Sequence, residues 1–260
     1  NILTKNFTFS LSTDWPAQDA NWNNVELLLD FNGDIVDESS NSHTFVATGE
    51  AAGTPLSSSI YKWGSGSLDQ IAGYPGSASQ SLRWEHGQNW NSSSIWTVEM
   101  WFYHTDNLHT SYNNRAGLFG LGGWYAQLAL YENSGNNNLF WGYTNQSPGG
   151  HLATGMHHTT ASGNSVISPN TWHHVALCAD STGCRLYFNG VQSTTDSDWD
   201  GVHSAHITSN EKFMGIGNCA TTADIAVSPA KAYIDDFRVT WGVARYSDDF
   251  SPPSGAFQTS

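Results

Sequence analysis

Two apolar runs on either side of a short polar turn give the plainest element in the chain. Trp172, Val175 and Leu177 lie beside Leu186 and Phe188, separated by Asp180-Ser181-Thr182-Gly183, and that pattern predicts a β-hairpin. With the turn centred on Ser181 and Thr182, Leu177 faces Leu186 and Val175 faces Phe188. One face is then continuously apolar and must pack on another layer. The tryptophan, valine and leucines all read as packing residues, and Asn189-Gly190 suits a left-handed turn that ends the second strand.

The same alternation marks further strands: Val25 to Phe31, His43 to Thr48, the end of Tyr61 to Leu68, Gln80 to Trp84, Ala116 to Leu121, Phe213 to Gly217 and Ala232 to Thr240. Trp96 to Tyr103 carries large side chains on both faces, Val98, Met100 and Phe102 on one and Glu99, Trp101 and Tyr103 on the other, which predicts a central strand. In Trp124 to Tyr131, Leu128 and Leu130 take the core parity and leave Tyr125, Gln127 and Tyr131 opposite. In Leu139 to Thr144, Phe140 suits the core, with Trp141 and Tyr143 facing away from it. Pro148 to Val166 reads as a long Gly/His/Thr/Ser loop. No segment has a convincing helical period. About a dozen short strands with turns between them predict an all-β fold, a two-sheet antiparallel β-sandwich. Residues 1–24, with Phe7, Phe9 and Leu11 in alternation before a polar run, are expected to be an N-terminal arm or connector, and residues 25–260 a single sandwich domain.

Composition agrees. The chain has 12 Trp, 10 Tyr, 12 Phe and 25 Gly with 12% charged residues, the balance of strands, turns and aromatic surfaces. Asp and Glu number 23 against 9 Lys and Arg, for a net charge of −14, and so acidic a body repels phosphate backbones. Nucleic acid is excluded as an expected partner. No apolar run reaches the length of a membrane span, so membrane insertion is not expected either. Cys178 and Cys184 flank the hairpin turn, yet Cys178 shares the parity of Ala176 and Cys184 that of Leu186. They point to opposite faces and are expected to stay reduced. His157-His158 and His173-His174 are neighbours in sequence, which on a strand diverge and cannot readily share a metal.

Leu27 to Gly33, Asp37-Glu38-Ser39-Ser40, Gly64 to Leu68, Trp96 to Tyr103, Asn170 to Ala176, Leu186 to Val191 and Tyr233 to Val239 follow one another in the order found in laminin-G-like domains. The chain resembles the laminin-G-like jelly rolls of the concanavalin A-like lectin/glucanase superfamily. Asp235 to Tyr246, followed by Phe250, Pro252-Pro253 and Phe257, is similar to the version in bacteriophage tail and appendage proteins. The resemblance implies a concanavalin A-like sandwich displayed on a virion, contacting host-surface glycan and other virion proteins, with a homo-oligomer expected. It also implies a structural calcium ion where the oxygen-rich loop after the first strand meets the final strand, with Asp30, Asp37, Asn41 and Asp235 as ligands. The alternative is that Asp37 to Ser42 is an ordinary side-chain-stabilised turn and Asp235 a strand-end carboxylate bonded to backbone.

For the ligand itself the candidates are Glu99, Trp101, Tyr103, Tyr125, Gln127, Tyr131, Trp141 and Tyr143. If their strands share a sheet, they form a patch of rings with a few hydrogen-bonding groups, which suits the apolar face and the hydroxyls of a sugar. The alternative is that loops or a partner subunit cover these rings in a purely structural virion protein. A glycoside hydrolase is the third reading and the weakest. Glu99 stands alone on its strand face, and Asp235 and Asp236, being adjacent, should diverge, whereas glycoside hydrolysis needs two carboxylates flanking one bond.

Overall fold

The computed structural model describes residues 18–48, 56–70, 81–88, 90, 93–105, 115–121, 126–133, 136–143, 154–157, 167–196, 213–222, 225–229 and 232–258. A 3-10 turn at Trp22–Asn24 leads into β1 (Val25–Leu29), β2 (Phe45–Thr48), β3 (Leu56–Ser57), β4 (Ser67–Asp69), β5 (Ser81–Glu85) and β6 (Trp96–His104). Then come β7 (Arg115–Leu121), β8 (Ala126–Asn133), β9 (Asn136–Tyr143), β10 (Thr154–His157), β11 (Trp172–Asp180) and β12 (Gly183–Phe188). The last are β13 (Val191–Asp196), β14 (Phe213–Ile216), β15 (Asn218–Thr222), β16 (Ile225–Pro229) and β17 (Ala232–Trp241).

The strands form two sheets, as expected. The first runs β13-β12-β11-β6-β17-β4-β3, with β1 also paired to β17. The second runs β10-β9-β8-β7-β14-β5-β2, with β15 and β16 attached beside β7. The hairpin has the expected register, Leu177 opposite Leu186 and Val175 opposite Phe188. Val98, Met100, Phe102, Val175, Leu177, Leu186, Ile234, Phe237 and Val239 of the first sheet meet Leu82, Trp84, Phe119, Leu121, Leu128, Leu130, Leu139, Met214 and Ile216 of the second in one buried cluster. Removing this apolar surface from water is the main force joining the layers. Cys184 lies in that cluster and Cys178 on the opposite face of the first sheet, both free, so the parity argument against a disulfide holds.

Three expectations are corrected. The core position in β9 is filled by Leu139, directly opposite Leu130, and the phase of the strand is one residue from the expected one. Inside the expected loop 148–166, Thr154–His157 pairs with β9 as an edge strand. Such a strand is held by backbone bonds to one neighbour and needs no apolar period. Third, the alternation of β17 is broken between Asp235 and Arg238 by a bulge, with Asp236 left-handed at φ 48. Ile234, Phe237 and Val239 all face the core as a result.

The face of the first sheet turned away from the core is partly covered by the chain itself. Residues 243–258 cross it as a strap. Tyr246 and Phe250 lie on Ala176, Cys178 and Tyr187, while Phe257 packs with Val25 and Leu28. The strap is anchored at the turn after β12, where the Phe250 N–H donates to the Gly190 carbonyl at 2.8 Å. Only glycine permits this approach: a Cβ at residue 190, where φ is +81, would stand 1.9 Å from the Phe250 carbonyl oxygen.

Candidate functional site

Strands β11, β6 and β17 are neighbours; β11 and β6 keep one outward parity along their length, and β17 changes parity at its bulge. At one end of their outer face the strap closes over a charged network. Glu99 is fully buried and receives Arg238 Nε and Nη2 at 3.0 and 2.7 Å and the Tyr246 hydroxyl at 2.8 Å, with His174 Nε2 at 3.3 Å. Asp19 closes the network from the other side, accepting from both terminal nitrogens of Arg245, at 2.9 and 2.8 Å, and from Arg238 at 3.0 Å. The later part of the N-terminal connector is therefore packed on the sandwich. Burial, the largest single influence, works to raise the pKa of Glu99, but Arg238, His174 and Arg245 together outweigh it and hold the carboxyl well below its ordinary range. A carboxylate so placed stays ionised, with both oxygens occupied, and has no proton to donate to a leaving group.

One row further along β6, Trp101 is also covered, at 6% exposure. Lys62 and Trp63, from the β3–β4 connection, lie over it. The Lys62 ammonium stands 4.2 Å from the centre of the Trp101 ring and 4.9 Å from that of Trp63. Glu99 and Trp101 thus correct the reading that put them on an open ligand face, because the chain's own strap and loop fill the space above them.

Beyond Trp101 no described segment lies over the face. Trp172, Tyr103 and Tyr233 are directly paired across β11, β6 and β17, and all three are partly exposed. Their ring centres are 5.6 Å apart from Trp172 to Tyr103 and 5.9 Å from Tyr103 to Tyr233. Asn170, exposed and left-handed at φ 57, accepts the Tyr103 hydroxyl at 3.4 Å. Asp69 on β4 is the residue paired with Tyr233, and burial, then Asp69 and Tyr103, raises the pKa of the Tyr233 phenol. The result is a shelf of three rings, spanning roughly 10 Å at ordinary strand spacing, with an amide at one end and a carboxylate at the other.

Of the sequence-derived ligand candidates, Tyr103 alone is on this shelf. Tyr125 lies outside the described residues, as do the side chains of Gln127, Tyr131, Trp141 and Tyr143. Their strands β8 and β9 belong to the second sheet and β6 to the first, so the candidates do not form the single patch that a shared sheet would have made. Trp172 and Tyr233 were missed. The signal for Trp172 was available, since it shares the parity of His174 and Ala176 and not of Val175 and Leu177.

The residues implied for calcium do not fit one ion as a set. Asp37 accepts the N–H groups of Leu28 and Ser39 on one oxygen, and the Ser39 hydroxyl and His43 N–H on the other. Asn41 donates to the carbonyls of Val25 and Glu26. Asp30 accepts the backbone and side-chain N–H of Asn32, and Asp235 accepts the N–H groups of Lys62, Trp63 and Asp236. Among the described residues no group of three or more His, Cys, Asp or Glu side chains is placed to hold a metal. Asp37, Asn41 and Asp235 spend these bonds on backbone groups, and Asp30 spends its own on Asn32. Asp235 and Asp236 also do not diverge electrically as adjacent strand residues should. The bulge keeps both buried, and burial, then Asp235, pushes Asp236 up to about 8, while burial pushes Asp235 up to about 6.

A layered sandwich whose outer sheet face ends in an aromatic shelf is a lectin-like architecture, and the comparisons agree on the class. Residues 75–248 match the laminin-G model of the concanavalin A-like lectin/glucanases superfamily, and the chain belongs to that family. No curated protein sequence matches it. Among solved structures it is similar to domain 4 of AbnA, an extracellular arabinanase of Geobacillus stearothermophilus solved with arabinotriose, at 21% identity and a TM-score of 0.57, over 85% of this chain and 93% of that one. It is similar as well to the binding domain of Paraclostridial Mosquitocidal Protein 1, at 16% identity and a TM-score of 0.61, over 86% and 50%. The ligand-binding domain of botulinum neurotoxin serotype D, solved with N-acetylneuraminic acid, gives 13% identity and a TM-score of 0.54, over 88% and 49%. The chain spans about half the length of these two toxin domains.

Proposed function

We propose that this protein is a non-catalytic glycan-binding module whose ligand lies across Trp172, Tyr103 and Tyr233. The observation that carries the reading is the shelf itself: three adjacent rings left partly open on a sheet face that the chain elsewhere covers with its own strap. Stacked rings take the apolar face of a pyranose, and Asn170 and Asp69 are placed for its hydroxyls. Hydrolysis would need two carboxylates flanking the bond; among the described residues Asp69 is the carboxylate paired beside the shelf, and Glu99 is sealed beneath the strap. The arabinotriose and N-acetylneuraminic acid bound by the similar domains support a sugar as the ligand class. Placement on a phage tail or appendage, with host-surface glycan as the target, is part of the proposal and is supported by the resemblance of residues 235–257 to such proteins.

A glycan array on the purified protein tests this. Binding that falls at least about fivefold in Trp172→Ala and Tyr103→Phe/Tyr233→Ala variants, at unchanged melting temperature, supports it, since one stacked ring is worth about 1 kcal/mol or more. Array binding untouched by all of these variants would place the ligand elsewhere. Shelf variants that instead dissociate an oligomer would favour the structural reading, with the rings as a subunit contact.

A further inference from the structure

The groups next to the shelf define which sugars it should prefer. Among the described side chains Arg83, Arg185, Arg238 and Arg245 each have a carboxylate partner. Lys62 has none; its ammonium rests on the faces of Trp63 and Trp101. On these same rings, the indole N–H groups of Trp63 and Trp101 are buried and have no acceptor among the described residues, and the two rings meet edge-on at 6.3 Å. Buried donors are normally satisfied, so two of them beside an unpaired cation form a local shortage of acceptors. The nearest carboxylate does not relieve it. Asp235 is fully buried, and its oxygens are engaged by the backbone N–H groups of Lys62, Trp63 and Asp236. Asp30 and Asp236 act electrostatically on or with Asp235, Asp69 is paired with Tyr233, and none of the three forms an ion pair with Lys62 among the described residues.

This acceptor-poor spot adjoins the shelf. Trp101 is two residues from Tyr103 on β6, and Asp235, which holds the Lys62 backbone, is two residues from Tyr233 on β17. Two residues of strand are roughly 7 Å, a gap that an exocyclic oxyanion on a sugar stacked at Tyr103 and the long Lys62 side chain bridge together. We propose that the shelf takes an acidic saccharide, its ring stacked on Tyr103 and its neighbours and its oxyanion held by Lys62 over the Trp63 and Trp101 N–H groups. The inference rests on the shelf being the glycan surface. Lys62 acts as a flexible cover, which lifts from the indole faces with the anion it binds. The long-range repulsion of a −14 chain is screened beyond about 8 Å at physiological salt, so the local cation decides.

Calorimetry with three matched ligands tests it: a neutral galacto-oligosaccharide, its uronic-acid counterpart and its sulfated counterpart. The wild-type protein should bind at least one acidic ligand about tenfold more tightly than the neutral one, as a charge-assisted contact requires. Lys62→Met should collapse that ratio toward one, and Lys62→Arg should keep most of it. A gain for the uronic acid alone identifies carboxylate sugars; a gain for the sulfated ligand alone identifies sulfate esters. Equal wild-type affinities, or a ratio that survives in Lys62→Met, overturn the inference and leave the shelf standing. Affinities for all three ligands that ignore Trp172→Ala, or no binding of any of them, overturn the shelf as well.

Discussion

The two ends of one sheet face, built by the same three strands, have opposite characters. At one end Glu99, Arg238 and His174 are sealed beneath Tyr246, Phe250 and Phe257; at the other, Trp172, Tyr103 and Tyr233 stay partly open. On β6 and β11 the residues at both ends share one parity and one backbone geometry, and on β17 the bulge at Asp236 brings Arg238 to the same face as Tyr233. What differs is whether the strap reaches them. Strand period therefore decides which side chains leave the core, while a segment distant in sequence decides which of those remain available to a ligand.

The sharpest break in the comparison comes from Glu99. Truncating it leaves Arg238 and Arg245 buried with Asp19 as their remaining carboxylate, and removing one partner of a buried ion pair costs about 3–5 kcal/mol. Glu99→Ala should lower the urea midpoint accordingly, whereas Trp172→Ala, at the open end, should move it far less. Equal losses at the two ends would mean that the shelf is as structural as the network and that the contrast is false.

The titration of the covered end gives the next effect. Asp236, pushed up to about 8 by burial and then by Asp235, keeps its proton in the fold where the unfolded chain has lost it from about pH 4 upward. Between those values the unfolded state binds fewer protons, and stability falls as pH rises. Glu99 works the other way: its pKa is held down, so its contribution is present above its ordinary value and lost as pH falls toward the folded one. Together they place the stability maximum near pH 4–5, with a falling limb toward pH 8, carried by Asp236, of up to about 1.4 kcal/mol per unit. Asp236→Asn tolerates the left-handed φ and keeps an acceptor for the Phe257 N–H, so it should flatten that limb. Melting temperatures measured across pH in a chelating buffer check both points. A wild-type curve that is flat from pH 5 to 8 contradicts the burial of an unpaired carboxyl.

How much of this was legible in the chain follows from the same division. The hairpin register, the inward set of Val98, Met100 and Phe102, and the opposite faces of Cys178 and Cys184 all follow from a period of two, which a strand obeys locally. Trp172 carried the right signal, yet grouping it with Val175 and Leu177 by hydrophobicity concealed it. The bulge at Asp236 was not legible, because the left-handed residue that breaks the period is an aspartate and no glycine marks it. Nor was the strap, since residues 243–258 have no period at all; their hold comes from single contacts, such as Phe250 on Gly190 and Phe257 on Asp236, with partners far off in sequence. Glu99 was misjudged for that reason, and Trp101 because Lys62 and Trp63, from the β3–β4 connection, cover it.

The strap itself provides the mildest test. Phe250 stacks on Tyr246 at 3.5 Å and meets Tyr187 and His174 edge-on, above Cys178. Burial pushes the Cys178 thiol up to about 12, so in the closed state it is neutral, covered and unreactive. Phe250→Ala removes a half-buried ring and should cost about 1–2 kcal/mol, less than the loss of Glu99, because the network below remains paired. Its clearer mark is kinetic. In a Cys219→Ser background, thiol labelling of the native protein should be slow, and Phe250→Ala should speed it several-fold by letting residues 243–258 lift more often. Shelf substitutions such as Tyr233→Ala should leave the labelling rate alone. If they raise it as Phe250→Ala does, the two ends open as one unit, and the shelf is held in place by the strap that stops short of it.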